Sequence, residues 1–264
     1  MSNQNREERI RDEVASCSRT VHQRGWVANH DGNISARLGG GRFVITPTAV
    51  SKGDVDPGWL VTVDANGQVL AGERRPPSEL AMHRAAWAAR PDVGVVIHVH
   101  PPSATAFATA GAPLPHPFLA EAAVSLGPVI PVVPWFRPGD PQLEAALSAA
   151  LAVADVVLLD RHGVLAVGGD VEQALLRVEL VEHLAGIALR AAPIGGVRLL
   201  DPAHVAALCK AGRPASSPHQ ATESVGGAAQ GGATAPVVSP SAPRPVGPRP
   251  DVRAVVEEAR RRLG

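Results

Sequence analysis

The run from Val93 to Val99 constrains the fold most. It is short, apolar and rich in β-branched residues, and it stops at Pro101-Pro102. That combination reads as a buried strand. Side chains on a strand alternate faces, so His98 and His100 point the same way. Two imidazoles on one face at the end of a buried strand form half of a metal site. Just upstream, Ser78-Glu79-Leu80-Ala81-Met82-His83 opens an apolar helix. The carboxylate of Glu79 sits at its start, in a position to return to the strand end. A single buried His is ordinarily a hydrogen-bonded core residue. A pair on one strand face beside a helix-start carboxylate points instead to a metal.

The surrounding chain supplies a sheet and its covering helices. Residues 6 to 24 carry Ile10, Val14, Cys17 and Val21 at helical spacing, with Gly25 as a stop. His30-Asp31-Gly32-Asn33-Ile34 is a turn into a strand. Gly39-Gly40-Gly41 connects that strand to Phe43-Val44-Ile45-Thr46. Asn66-Gly67, between Leu60–Val63 and Gln68–Leu70, is a strong hairpin signal. Strands joined by such tight turns imply antiparallel pairing. The Glu79 helix ends at about Arg90, before Pro91. A short helix over 103–109, a Pro-rich loop over 111–118 and a strand over 129–133 follow. Asp140 with Pro141 starts a further helix. Val156–Leu159 and Val164–Val167 are strands joined through Asp160-Arg161-His162-Gly163, which places one imidazole at a sheet edge. Asp170 caps a long helix to about Arg190, and residues 202–211 form a last short one.

From Gly212 to Pro250 the chain is built of Pro, Gly, Ala, Ser and Thr without apolar periodicity. Such a stretch cannot bury enough surface to offset its chain entropy, and it is expected to be disordered. Residues 251–264 read as a short basic amphipathic helix. The expected organisation is therefore a domain over 1–211, a linker over 212–250 and a terminal helix over 251–264.

Charge and cysteine usage narrow the classes of function. The formal net charge of +0 argues against a nucleic-acid-binding protein. No apolar run is long enough to span a bilayer. Cys17 and Cys209 do not make a disulfide framework, and the start of the chain has no signal-peptide apolar region. The expectation is a cytoplasmic protein with no membrane and no nucleic-acid partner.

Five motifs in order complete the reading. They are Gly32-Asn33-Ile34-Ser35, Thr46-Pro47-Thr48, Ser78-Glu79 followed by His83, His98-Val99-His100, and His162-Gly163. Over about residues 8 to 210 the chain resembles the class II aldolase/adducin family, the family of L-fuculose-1-phosphate aldolase and L-ribulose-5-phosphate 4-epimerase. The resemblance implies an α/β fold, a three-layer α/β/α sandwich around a mixed, mostly antiparallel sheet. It also implies a cyclic homotetramer with active sites between subunits. His98, His100 and His162 then correspond to the metal ligands, for Zn2+ first and Mn2+, Fe2+ or Co2+ as other candidates. Glu79 corresponds to the family's acidic residue, which ligates the empty metal and acts as acid and base once substrate displaces it. Gly32, Asn33, Thr48 and Ser78 match positions that hold the substrate phosphate. The implied function is a metal-dependent carbon–carbon lyase. It would cleave a small hydroxy-ketone or sugar phosphate by retro-aldol reaction through a metal-stabilised enediolate.

Departures from the family pattern bear on the reaction. The phosphate loop reads Thr48-Ala49 where the family often has a glycine second, and Pro77 removes a hydroxyl and an N–H before Ser78. The aldolases use tyrosines, and this chain contains 0 Tyr. Phe118 falls about where one of them would lie, with His116 and Glu121 close by in sequence. These changes suit an alternative, a metal-dependent decarboxylase of a hydroxy-aromatic or 3-oxo acid on the same site. An epimerase fits less well, because Glu79 stands where epimerases tend to carry Asp. A third option, a non-catalytic interaction module like the adducin head, belongs to a branch that has lost its metal ligands, whereas all three His are present here.

Overall fold

The computed structural model describes residues 3–137 and 140–212. The linker expected up to residue 250 and the helix expected over 251–264 lie outside the described residues, apart from Gly212. The strands are β1 (Asn33–Gly39), β2 (Arg42–Ile45), β3 (Val61–Asp64), β4 (Val69–Ala71), β5 (Val95–Val99), β6 (Val132–Val133), β7 (Val156–Leu159) and β8 (Gly163–Gly168). The helices are α1 (Asn3–Gln23), α2 (Leu80–Ala89), α3 (Pro102–Ala110), α4 (Ala120–Leu126), α5 (Pro141–Leu151), α6 (Val171–Ala191) and α7 (Pro202–Gly212).

The strands form one sheet in the order β4-β3-β2-β1-β5-β8-β7-β6. Every neighbouring pair is antiparallel except β6 and β7, so the sheet is mixed and mostly antiparallel, as expected. β5 lies at its centre between β1 and β8 and is buried along its whole length. Its alternation sorts the two faces. Val95, Ile97 and Val99 join a core shared with α1, α3, α4 and α6. Val96 joins a second core built with Met82, Ala86 and Trp87 of α2 and Leu147 and Leu151 of α5. Apolar side chains of this size each contribute about 1.5–3 kcal/mol when buried. Two such cores, one on each side of a sheet, make the three-layer sandwich.

Local chemistry explains most element ends. Asp170 accepts from the Gln173 N–H at 2.8 Å and Asp140 from the Gln142 N–H at 2.9 Å, as N-caps do. Asp64 Oδ1 accepts from the N–H groups of Asn66 and Gln68, both at 2.8 Å, and closes the β3–β4 hairpin. Two details differ from the sequence reading. The strand expected over 129–133 shrinks to Val132–Val133, because Pro131 precedes it and Pro134 follows it. Helix α4 was not read from sequence. Its Ala-rich segment has little apolar periodicity, and Ala122, Ala123 and Leu126 anchor it by burial.

Candidate metal centre

His98 follows Val96 on the face of β5 that carries α2, and it has no solvent exposure. Its Nδ1 lies 3.0 Å from the carbonyl oxygen of Val164 on β8. A carbonyl only accepts, so Nδ1 carries the proton and Nε2 presents its lone pair. His100 stands one residue past the end of β5, its backbone N–H held by the Trp26 carbonyl at 2.8 Å. Its Nε2 meets His98 Nε2 at 3.1 Å, and its Nδ1 lies 3.4 Å from Asp31 Oδ2. His162 reaches in from the β7–β8 turn. The three rings have centroids 4.7–5.0 Å apart, and one ligand nitrogen from each lies within 4.8 Å of the others.

Glu79 completes the cluster. It is the N-cap residue of α2 but makes no capping bond with its side chain. The carboxylate turns instead toward the imidazoles. Its Oε1 is 2.9 Å from His162 Nε2, and its Oε2 is 3.4 Å from His98 Nε2 and 2.8 Å from Asn33 Nδ2. Burial acts to raise its pKa, but hydrogen bonds from His162 and Asn33 act to lower it. The carboxyl is held far below the usual carboxylate range. Burial and then the neighbouring imidazoles push His100 down to about 4, so it too stands neutral near pH 7. Imidazole nitrogens and an ionised carboxylate converging on one point are a donor set for a divalent cation. Without a cation, lone pairs of His98 and His100 would face one another at 3.1 Å.

Glycines let the backbone close around the site. Gly32 has φ +71°, and a Cβ there would sit 2.6 Å from Val27 Cγ1 and 3.0 Å from the His98 carbonyl. A Cβ at Gly163 would lie 2.6 Å from the Val99 carbonyl and run into the His100 ring. The glycine after His162 therefore leaves room for His100.

The expected substrate-binding residues fall into segments around the cluster. Asn33, opposite His98 in the β1–β5 register, gives its amide to Glu79. The Thr48 N–H bonds the Arg75 carbonyl at 3.0 Å, which sets its loop beside the segment leading to Ser78. Both Thr48 and Ser78 are exposed. Ala49 takes φ +58°, a left-handed conformation that glycine adopts with less strain. His116 and Glu121, the sequence candidates for the missing tyrosines, make other contacts within this chain. His116 Nε2 bonds the Gly127 carbonyl at 2.7 Å. Glu121 lines a groove of about 690 Å³ with Asp170, Glu179 and His183, beside α6. Phe118 is buried in the core under α6.

Three participants had been given no role from sequence. His83, on α2, bonds both Asn33 and Ser35. Asp31 backs His100. Lys52 is only 2% exposed and donates to the carbonyls of His30 and Val50, each at 3.1 Å, which braces the turn that carries Asp31. No helix among the described residues is long and apolar enough to cross a membrane.

Comparison with known proteins agrees with this architecture. The sequence pattern of the Class II Aldolase and Adducin N-terminal domain matches residues 12–189. A 3-oxo-tetronate 4-phosphate decarboxylase of Cupriavidus necator is 32% identical over 182 residues, 68% of this chain and 83% of that one. A 5-methylthioribulose-1-phosphate/5-deoxyribulose-1-phosphate aldolase of Escherichia coli is 32% identical over 184 residues, 69% of this chain and 84% of that one. The structure of an L-fuculose 1-phosphate aldolase superposes with a TM-score of 0.71 at 26% identity, covering 76% of this chain and 95% of the other.

Proposed function

The chain belongs to the class II aldolase and adducin family, and we propose that it is a divalent-metal-dependent carbon–carbon lyase acting on a small phosphorylated hydroxy-ketone. The observation that carries this reading is the placement of Glu79, with one carboxylate oxygen on His162 and the other between His98 and Asn33. A structural role alone would not bring an ionised acid and three imidazoles to one half-open point. His98, His100 and His162 would hold the ion, with Zn2+ the best fit to an imidazole set and Mn2+, Fe2+ and Co2+ also compatible. Bound there, the ion would act as a Lewis acid on the substrate carbonyl.

The chain's own residues do the rest. Glu79 holds the mobile proton at the edge of the cluster. Asn33 keeps the carboxylate aimed, and Gly32, Asn33, Thr48 and Ser78 surround the place for the phosphate. The family arrangement adds a homotetramer with sites between subunits, and a cytoplasmic location suits its substrates.

Retro-aldol cleavage is the first reading. It needs one group to take a hydroxyl proton and one to return a proton to carbon. Decarboxylation needs only the return. The absence of any tyrosine therefore favours decarboxylation of a 3-oxo acid as the second reading. Two substrates separate them, 5-deoxyribulose 1-phosphate with aldehyde release measured and 3-oxo-tetronate 4-phosphate with carbon dioxide measured. Zinc-loaded protein should turn over one of them far faster than Glu79→Gln does. No product above the Glu79→Gln level from either substrate would refute the lyase reading.

A further inference from the structure

His83 lies one helical turn past Glu79 on α2 and has no solvent exposure. The chemistry above does not use it. Short contacts nevertheless tie it to the working carboxylate. Ser35 Oγ meets His83 Nδ1 at 2.7 Å, His83 Nε2 meets Asn33 Oδ1 at 2.6 Å, and Asn33 Nδ2 donates to Glu79 Oε2 at 2.8 Å.

Proton positions follow from what each atom can do. The ionised carboxylate only accepts, so it faces the NH2 group of Asn33. That leaves the Asn33 oxygen, an acceptor, for His83, and His83 Nε2 must carry the proton. His83 Nδ1 then holds a lone pair and accepts from the Ser35 hydroxyl. Burial pushes His83 down to about 3, so the ring is neutral near pH 7. Only a neutral ring can play both parts.

We propose that His83 is a positioning residue that locks the Asn33 amide, so that the amide N–H aims the Glu79 carboxylate at the three-histidine cluster. The proposal rests on the role given to Glu79 above. With the lock removed, the amide can turn over and set its oxygen against the carboxylate. Glu79 then loses a donor and gains a repulsion. The metal ligands themselves are untouched, so the defect should fall on turnover rather than on metal content.

Two measurements test this. The first is 15N-resolved NMR of the imidazoles in the wild-type zinc-loaded protein, which needs neither substrate nor mutation. His83 should appear as the Nε2–H tautomer, and an Nδ1–H tautomer would overturn the proposal. The second compares His83→Leu and His83→Gln, each alone and combined with Asn33→Ala. His83→Leu should lower kcat about 10–100-fold, as loss of outer-shell partners does, with KM little changed and metal retained. His83→Gln keeps an N–H for Asn33 and should restore most of kcat. In the Asn33→Ala background His83→Leu should change kcat no further, because nothing remains to be positioned. Losses that multiply would overturn the proposal, since a packing role acts independently of Asn33. If the wild type cleaves neither substrate, the lyase reading fails, and the tautomer still decides the His83 arrangement.

Discussion

Gly163→Ala probes whether the β7–β8 turn is shaped around His100. Gly163 opens β8 and pairs with Leu159, and its φ lies outside the left-handed region, so alanine brings no backbone strain. The penalty is steric. The new Cβ would sit 2.6 Å from the Val99 carbonyl and against the His100 ring. Val99 is fixed by its register with Val164, so the imidazole has to move. Overpacking of this kind costs about 1–3 kcal/mol, and the lower chain entropy of alanine returns roughly 0.5–1 kcal/mol. The net loss of about 0–2.5 kcal/mol should lower the Tm of the metal-free protein by up to about 10 °C. Displacing a ligand ring should weaken zinc binding at least as much as losing an outer-shell partner, about 10–100-fold, or roughly 1.4–2.8 kcal/mol. Competition against a chromophoric chelator measures the second effect, and thermal melts of metal-free protein measure the first. A Gly163→Ala protein that melts lower but binds zinc as tightly as wild type would refute the reasoning, because His100 would then not be a ligand constrained by this turn.

Other expectations follow from the same geometry. Glu79→Gln should keep one metal ion per chain by mass spectrometry and lose about 10²–10⁴ in kcat, the usual weight of a general acid–base group; activity within tenfold of wild type would remove Glu79 from the chemistry. Asp155 is fully buried and pairs with Arg90 at 2.8 Å and Arg177 at 2.7 Å. Asp155→Ala leaves both guanidinium groups without it and should cost about 3–5 kcal/mol in urea unfolding, whereas less than about 1 kcal/mol would mean that the network relaxes. Burial pushes the Cys17 thiol from 9.0 up to about 12. The folded state thus favours the neutral thiol, and stability that is complete below pH 9 should fall as pH rises toward 12, by about 1.4 kcal/mol per pH unit. Urea midpoints at pH 8 and pH 10 should show this slope in wild type and not in Cys17→Ala; equal slopes would place it elsewhere.

Much of this was legible because it rests on periodicity. Alternation alone put His98 and His100 on one side of a buried strand, and the structure keeps both rings at the cluster. Caps at Asp140 and Asp170 and the Asn66-Gly67 hairpin were legible from their own chemistry. His162 was not, since a His in a strand–turn–strand link is ordinarily a turn residue, and only the order of motifs gave it a role. The network behind Glu79 was hidden for a different reason. His83 is separated by about 50 residues from Asn33 and Ser35, and only the β1–β5 register and the packing of α2 on that face bring them together. Lys52 reads as an ordinary surface lysine until its ammonium is found under the Asp31 turn. α4 escaped notice because its burial comes from tertiary packing rather than from a strong pattern of its own.

The central claim is that His98, His100 and His162 form a metal centre. Metal content of the purified chain by mass spectrometry, with His98→Ala alongside, tests it most directly. The account predicts one divalent ion per chain in the wild type after exposure to zinc, and loss of that ion in His98→Ala with the circular dichroism spectrum unchanged. A wild type that stays metal-free in zinc and in manganese, or a His98→Ala protein that keeps stoichiometric metal, would contradict it.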